Sequence, residues 1–172
     1  MGISIYPPAK GGDNWVQIAT STPTSGSVVT FSSIAQSYEK LMVMIVGQSA
    51  VFSAPVTGCT FTINGATTGY SYGMSNITGS TFTAVATNSS ISFPRTIPAS
   101  ADITGFLTIE SANFTTVKRI SGGLTNATAT SFASWFDNGF SRQTAFVSTI
   151  AFTLGTGTFT SGTTFTLYGV AA

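Results

Sequence analysis

Hydroxyl and apolar side chains alternate along much of this chain. "CTFTIN" (Cys59 to Asn64), "STFTAVAT" (Ser80 to Thr87) and "TTFTLYG" near the C-terminus all repeat with period two. That spacing puts alternate side chains on opposite faces of a β-strand, whereas a helix needs a period near 3.6. Helical periodicity is almost missing. "SSIAQSYEKL" (Ser32 to Leu41) has room for a turn or two of helix, and we read it as a corner between strands. The alternation commits the chain to an all-β fold. Strands without helices must bury one sheet face against another.

The chain has 172 residues, a length that suits one β-sandwich domain. Hydrophobic residues make up 42% and aromatic residues 12%, enough to fill a core. Ser and Thr together number 53, and their interleaving with Phe, Val and Ile marks strand faces, where Thr fits well. Turn residues separate about ten strand-like segments. They begin with "WVQIAT" (Trp15 to Thr20) and "SVVTFS" (Ser27 to Ser32) and end on the closing strand. "KLMVMIVGQ" (Lys40 to Gln48) is apolar on both faces, as expected of a central strand covered on both sides or of one at a subunit contact. Asn64-Gly65 and "DNG" (Asp137 to Gly139) read as turns. The expected fold is a single antiparallel β-sandwich of jelly-roll type over residues 15–172. Residues 1–14 contain Pro7-Pro8 and no alternation, and read as an extended N-terminal arm.

Several chemistries are excluded or disfavoured. There is no histidine, which removes Ser-His-Asp and Cys-His nucleophilic sites and most transition-metal sites. "GYSYG" (Gly69 to Gly73) spells the nucleophile-elbow pattern but has neither a following helix nor a His partner, so it reads as a Gly- and Tyr-rich loop. Glycosidase chemistry needs two carboxylates across one bond, and for Glu110, at a strand end, and Asp137, at a turn, solvated charges are the better explanation. No enzyme, metal or cofactor is expected. Charged residues number 11 and the net charge is +1, with Lys118-Arg119 the largest basic cluster, so nucleic acid is not an expected partner. The N-terminus lacks the pattern of a signal peptide, and the apolar run Leu41 to Val46 is too short for a membrane helix. Cys59 is alone and reads as a small buried hydrophobe. Four N-x-S/T sequons, at Asn76, Asn88, Asn113 and Asn126, are close to chance in so Ser- and Thr-rich a chain.

Three segments carry a resemblance. "TFSSIAQSYEKL" supplies Phe31, Ile34, Tyr38 and Leu41. "FTINGATTGYSY" supplies Asn64, Gly65 and Tyr70. "FTLGTGTFTSGTTFTLYGV" supplies Gly157, Phe159, Gly162, Leu167, Tyr168 and Gly169. Together they resemble a group of small β-sandwich virion proteins of tailed bacteriophages. The resemblance runs from about Trp15 to Val170 and is weakest between Ser80 and Arg142. It implies a structural protein of a virion assembled in the host cytoplasm.

The favoured role is a capsid decoration or cement protein on the outer head surface, with the major capsid protein as its favoured partner. The arm residues Ile3, Ile5, Tyr6, Pro7 and Pro8 are the expected partner contacts. A homo-oligomer is expected, with a trimer as one closed arrangement. The alternative is a tail-fibre or tail-tip module that binds host glycan through exposed aromatics at Tyr70, Tyr72 and Trp135.

Overall fold

The computed structural model describes residues 14–47, 58–76, 81–93, 97–99, 101–128 and 132–172. These form β1 (Val16–Ser21), β2 (Val28–Phe31), β3 (Tyr38–Gly47), β4 (Cys59–Ile63), β5 (Tyr70–Asn76) and β6 (Thr81–Asn88). The rest are β7 (Ile91–Phe93), β8 (Asp102–Glu110), β9 (Lys118–Ala127), β10 (Phe132–Ser141), β11 (Ile150–Leu154) and β12 (Thr163–Ala171). They assemble into two antiparallel sheets, one of eight strands in the order β1-β12-β3-β8-β9-β10-β5-β6 and one of four in the order β2-β11-β4-β7. Among the described residues, no helix is long and apolar enough to cross a membrane. The arm contacts expected at Ile3, Ile5, Tyr6, Pro7 and Pro8 lie outside the described residues.

Period-two alternation sorts the residues as expected. In β12, Thr163, Phe165 and Leu167 are buried while Thr164, Thr166 and Tyr168 are half-buried. β4 and β11 repeat the same buried and half-buried alternation. Four rings join the two sheets. Phe61 of β4 lies 5.5 Å from Phe152 of β11, and Phe152 lies 5.3 Å from Phe165 of β12. Phe159 meets Phe165 edge-on at 5.3 Å. All four are at most 2% exposed, so the ring contacts add to the apolar area they remove from water.

The connections bear out part of the turn reading. Asn64 (φ 52°) and Gly65 (φ 64°) both occupy the left-handed region, and Ala66 N–H donates to Ile63 O at 3.0 Å, closing a tight turn after β4. The Asn64 side chain also ties down the segment that leads into β11. Its Oδ1 accepts from Ser148 N–H at 2.9 Å and Thr149 N–H at 3.1 Å, and its Nδ2 donates to Phe146 O at 2.8 Å. Residues 32–37 form a corner, not a helix, with Ile34 buried and its N–H bonded to Ser148 O.

Three expectations need correction. Asp137 to Gly139 is not a turn: β10 runs straight through it, paired with β9 on one side and β5 on the other. Two ladders satisfy the backbone there and override local turn preference. The glycine serves close approach instead, since a Cβ at Gly139 would sit 2.5 Å from Ser71 O and 2.6 Å from Tyr72 Cβ. "GYSYG" is not a loop but opens β5. β7 is an added strand of three residues, too short for alternation to mark it. With β5 and β7, the described residues hold twelve strands where about ten were expected.

Phe152→Ala should cost about 3–5 kcal/mol, as large core truncations do. Gly139→Ala should cost about 1–3 kcal/mol through overpacking, although it adds apolar surface. Urea unfolding of each variant against the parent chain measures both.

Candidate interaction face

The four-stranded sheet covers the inner face of the larger one. The outer face of the eight-stranded sheet carries the side chains of the opposite phase. In β3, Leu41, Val43 and Ile45 are buried, whereas Met44 and Val46 are 40% and 44% exposed. In β8, Ile103, Leu107 and Ile109 are buried, and Phe106 is 43% exposed. β10 adds Phe136, also 43% exposed.

Register turns these into one transverse row. Met44 pairs with Phe106, Phe106 with Gly123 of β9, and Gly123 with Phe136. Thr166 flanks Met44 on β12, and Ser75 flanks Phe136 on β5. The neighbouring rows are largely hydroxylic: Thr108 bonds Ser121 at 2.7 Å, and Thr125 bonds Ser134 at 2.9 Å. The face therefore has an apolar centre flanked by rows rich in hydroxyl groups.

Charge lies at the two ends of this face, with Asp102 at the start of β8 and a charged row at the opposite end. Lys40 pairs with Glu110, Glu110 with Arg119, and Arg119 with Phe140. Arg142 places its Cζ 5.7 Å from the centre of the Phe140 ring, a cation–π distance. A shallow cleft of about 600 Å³ opens here, lined in part by Glu110, Val117, Arg119 and Phe140. Next to Arg119 along β9, Lys118 falls in the inward phase and is fully buried, with its Nζ donating to Phe114 O. Burial holds its ammonium below the ordinary value of 10.5.

The expected aromatic surface is not where it was placed. Tyr70 is fully buried and Tyr72 is 8% exposed, so neither belongs to an exposed binding surface. Both fall in the inward phase of β5, opposite Ser141 and Gly139. The Tyr70 hydroxyl accepts from Ile63 N–H at 2.8 Å and lies 3.3 Å from Ile63 O, pinning the end of β4 to the larger sheet. Tyr72 OH receives a 3.4 Å contact from Asn88 Nδ2. Trp135 lies in β10, in register with Leu124 and Asn76, and its side chain is outside what is described.

The spacing Y-S-Y held the signal for the two tyrosines, because i and i+2 share one strand face. Phe136, which the sequence places near a turn beside Trp135, is exposed, whereas the exposed Phe106 and Phe140 carry no such signal. For Phe106 the clue was phase: it alternates against Ile103, Leu107 and Ile109 of the same strand.

The remaining candidates stay apart. Glu110 and Asp137 lie two strands and three residues from one another in register. Ser71, the serine of "GYSYG", is buried within β5. No group of three or more His, Cys, Asp or Glu able to hold a metal occurs among the described residues. Cys59 is buried, as expected, and burial pushes its thiol up to about 12. Asn126 is buried too, so its sequon is closed off in the folded chain.

No family model, curated protein or solved structure matches this chain.

Two predictions follow from the buried polar groups. Tyr70→Phe leaves Ile63 N–H without that partner and should cost about 1–3 kcal/mol in urea unfolding. For Lys118, the folded state binds the proton less tightly than the unfolded chain. The cost of its charge is complete below the folded pKa and is relieved as pH rises towards 10.5. The stability gained by Lys118→Met over the parent should therefore shrink as the pH is raised from about 7 towards 10.5. Cys59 works the other way, weakening folding as pH climbs from 9.0 towards about 12, but it does so in both chains and cancels in the difference.

Proposed function

We propose that this chain is a non-enzymatic structural protein of a bacteriophage virion, and specifically a capsid decoration or cement protein that packs on the outer head surface. The observation that carries the reading is the open face of the eight-stranded sheet. There Met44, Val46, Phe106 and Phe136 are exposed around an uncharged central row. Contiguous apolar surface of this kind marks an interaction site on a monomer. An uncharged centre also suits a protein that must pack against neighbours in a shell, because assembled interfaces are depleted of charge at their centres.

The positions that carry the family resemblance support a shared framework. Phe31, Ile34, Leu41, Tyr70, Phe159 and Leu167 are all buried, and Asn64-Gly65 forms the tight turn after β4. We also read the fold as a jelly roll with additions. Without β8 and β9, the order β3-β10-β5-β6 would oppose β2-β11-β4-β7, giving the two four-stranded sheets of that architecture. β1 and β12 extend the larger sheet beyond β3, and the β8–β9 hairpin widens it from within.

A glycan-recognising tail module is the weaker reading, since two of its three aromatics, Tyr70 and Tyr72, are buried. Quantitative mass spectrometry of purified virions separates the roles. Hundreds of copies per particle, and a shell that opens at lower temperature when this chain is removed, are expected of a cement protein. A few tens of copies or fewer would assign it to a tail appendage.

A further inference from the structure

The eight-stranded sheet divides evenly at the boundary between β8 and β9. Four strands, β1, β12, β3 and β8, lie on one side, and β9, β10, β5 and β6 on the other. A two-fold axis parallel to the strands, in front of that boundary, would lay a second copy's sheet over the first. β8 would face the partner's β9, and β3 would face its β10.

The residues on this face match under that operation. In the apolar row, Phe106 falls opposite the partner's Gly123, the one position in the row without a side chain, and Met44 falls opposite the partner's Phe136. In the charged row, Glu110 falls opposite the partner's Arg119, and the symmetry makes this pair twice. Lys40 falls opposite the ring of the partner's Phe140. In the hydroxylic rows, Thr108 meets the partner's Ser121, and Thr104 meets its Thr125. A two-fold axis across the strands would instead bring Glu110 over Asp102 of the second copy, acid on acid.

Aligned sheets cross at about 30°. Over the four residues from Phe106 to Glu110, about 13 Å, this shifts facing positions by about 7 Å, roughly one and a half strand spacings. Glu and Arg side chains can span that shift.

The area is sufficient. The six central strands, over the eight residues paired between Lys40 and Gly47, present a face of about 800 Å² at ordinary strand spacing. That equals one partner's share of a standard protein interface.

We propose that the outer face of the eight-stranded sheet binds a second copy of this chain, face to face, about a two-fold axis along the β8–β9 boundary. The inference rests on reading this face as an assembly surface. It is independent of which part of a virion the chain occupies.

Sedimentation equilibrium of the full chain tests it. The parent chain, of 17.7 kDa, should sediment at about twice that mass. Glu110→Arg and Arg119→Glu each place like charges opposite one another and should weaken the dimer at least about a hundredfold. The two variants mixed in equal amounts should recover it, because position 110 of each then faces the opposite charge at position 119 of the other. Such recovery also shows that both variants are folded, and a change confined to one chain's own Glu110–Arg119 neighbours would not produce it. A parent chain that stays monomeric up to about 100 μM overturns the proposal. So does a dimer indifferent to both substitutions, which would point to another surface or to the arm, or a mixture that remains monomeric. Copy number per virion is a separate measurement, so failure here leaves the virion reading to its own test.

Discussion

The fold depends on a chain of rings that joins its two sheets. Phe61 and Phe152 come from the smaller sheet, Phe165 comes from the larger one, and Phe159 closes the contact from the loop before β12. With one cysteine there is no internal disulfide, and no bound metal is expected to staple the layers. Their cohesion must come from burying apolar surface. Tyr70 supplements this with a polar tie, hydrogen-bonding the backbone of Ile63 at the end of β4. Asn64 adds another, holding the segment before β11 against the same strand.

That arrangement has a geometric consequence. A four-stranded sheet covers only one face of an eight-stranded one, and the other face is left open. The β8–β9 hairpin at its centre widens it, and Gly105, Gly122 and Gly139 face inward where two backbones approach closely. A Cβ at Gly105 would sit 2.6 Å from Gly123 O, and one at Gly122 would sit 2.6 Å from Phe106 O. The same hairpin brings Phe106 and Glu110 beside Gly123 and Arg119. The feature that packs the centre of the sheet is therefore also the feature that furnishes its open face.

Much of this was legible in the sequence where alternation is strong. "CTFTI" and "TTFTLYG" announce β4 and β12, and the paired phases of "LMVMIV" announce a central strand with apolar residues on both sides. One expectation for that strand was cover on both faces, and its outer residues Met44 and Val46 are exposed within this chain. Legibility failed where local signals contradicted the surroundings. "DNG" has strong turn chemistry, yet two neighbouring strands hold it extended. "GYSYG" looks like a glycine-rich loop, yet its tyrosines alternate into the core. Tyrosine is amphipathic, and only the presence of a partner such as the Ile63 backbone decides whether it is buried or displayed.

By itself the sequence determined the class of fold and the scarcity of chemistry. Period-two alternation admits strands and little else, and a chain without histidine cannot build a Ser-His-Asp or Cys-His site. Tertiary structure decided which phase of each strand met the core, which turn motifs became strands, and which residues became neighbours across the large sheet. The physical reason is that alternation is a local property of one strand. The Met44–Phe106–Gly123–Phe136 row is a property of register among four strands, fixed only when all their backbone ladders and the rings beneath them are in place together.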